Sequence, residues 1–241
     1  MQVSEYQHQL EAMRGYFQQL SPVVQIIDSV LTAIDAFQQH KLPANPILPL
    51  ELSDDLILDN VIEYPEIMKV SSYLENLRQV LVENFGIWHV ANQQWINDLQ
   101  RFVGTKSHNL EIMAGNAMIS TFLLNTIATD NLDWQGQDNQ HPQPWTKVKK
   151  VDAIEAVNKY YAHVDNIIMA WAPNMGTADI EVLEFLQVHH FKGNFIVIGE
   201  KNGATNTEAF WQNAHLTMPT LLNRHHQPFD FIQDAVYVVK V

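Results

Sequence analysis

Cysteine is absent from the 241 residues. Its absence excludes disulfides, thiolate metal ligands and a cysteine nucleophile, and it accords with a cytoplasmic setting. Long apolar runs are lacking too. None approaches the roughly 20 residues that cross a bilayer. The opening MQVSEYQHQL has neither the basic start nor the apolar centre of a secretory signal, so none is expected. Positive charge is scarce: 14 Lys and Arg stand against 27 Asp and Glu, a net charge of −13. Such a surface repels phosphate backbones and anionic lipid, which argues against nucleic acid or a membrane as partner. The one basic cluster, Lys147, Lys149 and Lys150, lacks the arginine or aromatic company of a nucleic-acid site and reads as a solvated face.

Familiar catalytic signatures are missing as well. There is no H-E-x-x-H and no G-x-S-x-G. The pairs His189-His190 and His225-His226 are adjacent in sequence, so on a helix they point about 100° apart. They read as surface or partly buried residues, and no metal is expected. His141 and His163 are candidates for a base near a binding rim, although a single histidine is more often structural.

What is present is enough apolar residue, 46%, to bury a sizeable core. The chain divides near residue 85. Residues 1–84 carry 4 basic and 12 acidic groups and look helical throughout. Tyr6, Leu10, Met13, Phe17 and Leu20 recur at helical spacing. Ser21-Pro22 restarts a helix, with Ser21 as its cap. The three prolines of 41–50 demand an extended connection, and Pro65 opens a further helix with Ile67, Val70, Leu74, Leu77 and Leu81 on one face. This part is expected to be a helical extension or lid.

Residues 85–241 have another rhythm. An aromatic-rich helix is expected over 85–102. Short apolar runs then alternate with helical patterns: 109–113, 125–129, 145–151, 166–171 and 194–198, with helices over 117–126, 152–162 and 178–191. A last strand covers 234–241, with 217–222 as its hairpin partner. Alternation of this kind predicts an α/β fold, a Rossmann-like, mostly parallel sheet of seven strands with helices on both faces and an N-terminal all-helical extension.

The polar residues cluster at the ends of these runs, where open α/β sheets bind ligands. Glu111 lies in the first strand. Asp130 follows the second, Asp152 the third, Trp171, Pro173 and Asn174 the fourth, and Glu200 the fifth. Trp134, Trp145 and Trp171 are available to line a pocket. Asn202 joins Glu200 in a loop at the same rim, and Thr205 or Asn206 is expected to cap the helix that follows.

The stretch LEIMAGNAMIS, residues 110–120, resembles motif I of class I S-adenosylmethionine-dependent methyltransferases, in which an acidic residue precedes alternating glycines. The resemblance extends over residues 85–241. It implies that Glu111 orients the loop and that Met113, Ala114, Gly115 and Asn116 form it. It implies that Asp130 binds the ribose, with Asn131 beside it, and that Asp152 reads the adenine amine, with Ala153 beside it. Ala172, Pro173 and Asn174 would then flank the methyl group, with Trp171 by the cofactor and Glu200 by the substrate. Two departures are plain. Met113 and Ala117 stand where glycines are usual, and WAPN replaces the Asp/Asn-Pro-Pro-aromatic signature of amino-group methylation. The implied activity is methyl transfer to a small-molecule or protein substrate. A non-catalytic binding or scaffold protein, and an NAD-dependent oxidoreductase, stay open beside it.

Overall fold

The computed structural model describes residues 1–241. Six helices come first: α1 (Val3–Tyr16), α2 (Ser21–Gln38), α3 (Asp54–Asn60), α4 (Ile67–Leu74), α5 (Leu77–Phe85) and α6 (Gln93–Val103). Strands and helices then alternate: β1 (Asn109–Ile112), α7 (Met118–Phe122), β2 (Thr126–Asp130), β3 (Val148–Lys150), α8 (Ala153–Tyr160), β4 (Asn166–Ala170), α9 (Ala178–Val188) and β5 (Asn194–Gly199). The chain closes with α10 (Glu208–Asn213), β6 (His215–Thr217), α11 (Thr220–Asn223) and β7 (Ala235–Lys240).

The seven strands form one mixed sheet in the order β3-β2-β1-β4-β5-β7-β6. The first five are parallel, and β7 runs antiparallel to both β5 and β6. The expected hairpin partner at 217–222 is therefore shifted: the paired strand is 215–217, and 220–223 is helical. At the start of β1, β4 and β5, Asn109, Asn166 and Asn194 lie in register. Their amides form a ladder, Asn194 Nδ2 to Asn166 Oδ1 at 2.7 Å and Asn166 Nδ2 to Asn109 Oδ1 at 2.8 Å. This satisfies polar groups that would otherwise be costly to bury.

Side chains alternate between the two faces, as a strand requires. Ile168, Ile196, Ile198 and Val236 belong to a core of 33 residues that also contains Tyr6, Val30, Leu74 and Trp95 from the N-terminal helices. Leu110, Ile112, Ile167, Met169 and Val197 face the other way, into a core of 18 residues with α8, α9 and α10. Residue 85 is thus no boundary of the hydrophobic core, because the first 84 residues cover one face of the sheet.

The helix expected over 85–102 is shorter. Gly86, at φ +62°, ends α5 in a left-handed conformation, and α6 starts only at Gln93, where the Asn92 side chain accepts from Trp95 N at 2.9 Å. Ser21 is the first helical residue of α2 and not its cap. Thr207 caps α10, in place of Thr205 or Asn206.

Candidate functional site

The turn between β1 and α7 is left-handed at every second residue. Met113, Gly115 and Ala117 have φ of +51°, +53° and +56°. Left-handed backbone is cheap for glycine and costs other residues roughly 1–2 kcal/mol. Two non-glycine residues therefore hold a glycine conformation, and packing offsets the cost: Ala117 is buried in full, and Met113 lies against the core beneath α8 and α9. α7 is only five residues long, shorter than its apolar run suggested.

Three polar side chains fix this turn. Glu111 sits between Leu110 and Ile112, so it faces away from them, toward α7. There it accepts from Ser120 N at 2.8 Å and from Ser120 Oγ. It is 3% exposed, and burial pushes its carboxyl up to about 7, against the hydrogen bonds from Ser120. Asp130 ends β2. Its Oδ2 accepts from Gly115 N at 2.9 Å, and its Oδ1 from Leu132 N at 2.7 Å and Trp134 Nε1 at 3.4 Å. Asn116, also buried, donates through Nδ2 to Phe85 O, while its own oxygens accept from Gln143 N and Trp145 N, each at 2.9 Å. It staples the turn to the end of α5 and to the segment 131–147, which joins β2 to β3 without a helix.

The other expected site residues divide. Ala114 belongs to the turn, and its N–H reaches Thr129 O at 3.0 Å. Asn131 is exposed and accepts from Asp133 N at 2.9 Å. Asp152 lies at the same sheet edge, exposed, and caps α8 by accepting from Glu155 N at 2.8 Å; Ala153 is buried behind it. Glu200 is committed to its own loops, accepting from Ala204 N at 2.7 Å and Gln233 N at 2.8 Å. Pro173 bridges Thr205, and Asn174 is exposed. Trp171, at φ +54°, donates to Asp234 Oδ2 at 2.7 Å. So Glu111, Gly115, Asn116 and Asp130 converge, whereas Asp152 and Glu200 share only the edge.

Sequence reasoning missed a second buried polar group beside Trp171. The Arg78 guanidinium lies 4.3 Å from the Trp171 ring centroid and 4.6 Å from that of Phe229. It pairs with Asp230 at 2.5 and 3.0 Å and reaches Trp88 O at 2.8 Å. His226, expected at least partly exposed, is buried and stacks on buried His89 with centroids 5.3 Å apart. Burial lowers both imidazoles' affinity for a proton. No local pattern flags this group, because α5 and the 224–234 loop lie far apart in sequence. His141 is exposed, and so is His163, which lies three residues before β4 and so at the opposite end of the strands from the rim.

No family model and no curated protein matches the chain. A cavity of about 620 Å³ lies at the N-terminal ends of β4 and β5, lined by Tyr161, Asp165, Asn166, His190, Lys192 and Asn194. It faces away from the turn, so it is not part of this site.

Gly86 supplies a test of how tightly the corner is packed. A Cβ there would lie 2.6 Å from Asn116 Nδ2 and 3.0 Å from Trp134 Cζ3, whereas a Cβ on Gly115 meets only Trp134 Cζ2, at 3.8 Å. Both glycines are left-handed. Gly115→Ala is expected to lose about 1 kcal/mol from backbone strain, and Gly86→Ala about 2 kcal/mol or more because overpacking adds to it. Urea unfolding of the two variants measures the difference, and equal losses would mean that the corner gives way without cost.

Proposed function

We propose that this chain is an S-adenosylmethionine-dependent methyltransferase, its fold Rossmann-like in the class I manner, with the cofactor at the β1–β2 edge and a small-molecule or protein substrate beside β4. The observation that carries the reading is the turn: the residues at all three alternating glycine positions, 113, 115 and 117, are left-handed, although only one is glycine. The strand order, with its reversed β7, is consistent with the resemblance of residues 110–120.

The donor set suits an adenosyl group. Asp130 presents a carboxylate at the end of β2, 2.9 Å from the backbone of the turn, and a carboxylate accepts both hydroxyls of a ribose. Gly115 has no Cβ to block approach. The acidic rim favours a sulfonium cation over a pyrophosphate, and so over NAD. The cofactor supplies an activated methyl group; the chain's part is to bind, align and exclude water, since in-line displacement gains most from positioning. In this reading Asp130 holds the ribose, Asp152 and Ala153 border the adenine, and Trp171, Pro173 and Asn174 border the acceptor.

Two observations favour a second reading, a non-catalytic protein on the same fold. Trp134 stands over Gly115, and Arg78 fills the space between Trp171 and Phe229. Calorimetric titration with S-adenosylmethionine and with NAD, followed by methylation assays, separates the readings. Heat is expected with the first alone. Asp130→Ala should weaken that binding about 10- to 100-fold, the worth of charge-assisted hydrogen bonds. Unchanged binding would remove Asp130 from the site, and binding without any methyl transfer would favour the second reading.

A further inference from the structure

Trp134 is 6% exposed although it belongs to a connection between strands. Its Nε1 donates to Asp130 Oδ1 at 3.4 Å. Its six-membered ring edge lies 3.8 Å from where a Cβ of Gly115 would stand, and 3.0 and 3.2 Å from where a Cβ of Gly86 would stand. One flat aromatic ring thus takes both features of the corner, the carboxylate acceptor and the bare backbone. A purine nucleoside offers the same pair: hydroxyl donors for Asp130 and a flat ring system for the surface beside Gly115.

The segment that carries the ring is held by bonds of its own. Leu132 N donates to Asp130 Oδ1, Gln143 N and Trp145 N donate to Asn116, and Asn139 Nδ2 donates to Val82 O at 3.2 Å and Glu83 O at 3.3 Å. These bonds anchor the segment on both sides of Trp134 and leave the indole with one long hydrogen bond. None of the bonds that hold the segment to Asn116, Val82 and Glu83 involves the indole.

We propose that Trp134 is a built-in occupant of the nucleoside corner: residues 131–147 form an autoinhibitory strap, and an adenosyl ligand enters by exchanging with the indole. The inference rests on the reading that this corner binds an adenosyl group. Binding then carries the cost of the closed state, because the apparent affinity is the intrinsic affinity reduced by the fraction of molecules in which the indole is out. Asp130 exchanges one donor for another and is never left bare.

The test measures the affinity of S-adenosylhomocysteine by calorimetry for the wild-type chain, Trp134→Ala and Trp134→Phe. Trp134→Phe keeps an aromatic ring, so the corner stays packed, and removes the donor. Affinity is expected to rise about tenfold or more in Trp134→Ala and by a smaller factor in Trp134→Phe. The wild-type fluorescence should also shift to the red on binding, as Trp134 enters water, and the shift should be missing in Trp134→Phe. Equal affinities in all three proteins would overturn the strap while leaving the adenosyl site intact. Weaker binding in both variants would make Trp134 a wall of the pocket and not its occupant, which also overturns the proposal. Binding by none of the three removes the adenosyl reading, and the strap falls with it.

Discussion

Arg78→Met is expected to destabilise the protein by about 3–5 kcal/mol, the cost of removing one partner from a buried ion pair. The Arg78 and Asp230 side chains are 9% and 1% exposed, and they are joined by two hydrogen bonds. Methionine replaces the volume between Trp171 and Phe229 but leaves the Asp230 carboxylate and the Trp88 carbonyl with one partner fewer. Asp230 still accepts from Ile232 N at 3.0 Å, which does not neutralise its charge. The loss falls on one contact between layers, since Arg78 belongs to α5 and Asp230 to the loop before β7. A melting midpoint lower by roughly 10 °C is the expected reading for a chain of this size. The double variant Arg78→Met with Asp230→Leu should recover much of it, because no charge then stays buried alone. A loss under about 1 kcal/mol for the single variant would mean that Asp230 reaches water by moving, and that this pair does not tie α5 to the sheet.

The second large effect is one of pH. Glu111 is buried, and its carboxyl is pushed from 4.5 up to about 7, chiefly by loss of water. The folded state therefore holds the proton more tightly than the unfolded chain. Its stabilising contribution is complete below about 4.5 and is lost as the pH rises through about 7. A shift of that size corresponds to roughly 3 kcal/mol, at 1.36 kcal/mol for each pH unit. Glu111→Gln keeps the shape, keeps an oxygen for Ser120 and never ionises. It should flatten the fall in stability between pH 5 and pH 8 and be the more stable protein at pH 8, by about 2–3 kcal/mol. Urea midpoints for both proteins across that range decide it. Parallel curves would mean that Glu111 ionises in the fold at little cost. The same residue holds Ser120 at the start of α7, so wild-type ligand affinity measured across the same range reports whether ionisation of Glu111 also loosens the turn.

The sheet was largely legible because it repeats a local rule. NLEI, NIIMA and NFIVIG are near-continuous apolar runs, which suits strands covered on both faces, and each opens with an asparagine. Asp152 before a helical pattern reads as a cap, and it is one. Where the reading slipped, a stop signal was outvoted by apolar periodicity. Gly86 and Asn92 end one helix and begin the next inside a stretch whose aromatic spacing suggests a single helix. In α7 the pattern continues to Leu124, but the helix ends at Phe122 so that the chain can enter β2.

The site was legible in part. Glu111, Gly115 and Asp130 follow from the alternation of strands and helices, since β1 and β2 are neighbours and their ends share an edge. The handedness of Met113 and Ala117 was not legible, because neither residue favours positive φ and only the packing around them sustains it.

By itself, then, the sequence determined the alternation of strands and helices, though not every boundary, the edge of the sheet at which the acids gather, and the acidic, cysteine-free character of the surface. These follow from residue type and from periods of two and 3.6, which are properties of the backbone alone. Only the tertiary structure decided that Trp134 closes the corner over Gly115, that Asn116 joins the turn to a residue 31 positions away, and that Arg78 meets Asp230 across 152 residues. Such contacts carry no local signature: each depends on the space left when layers built from distant segments pack together.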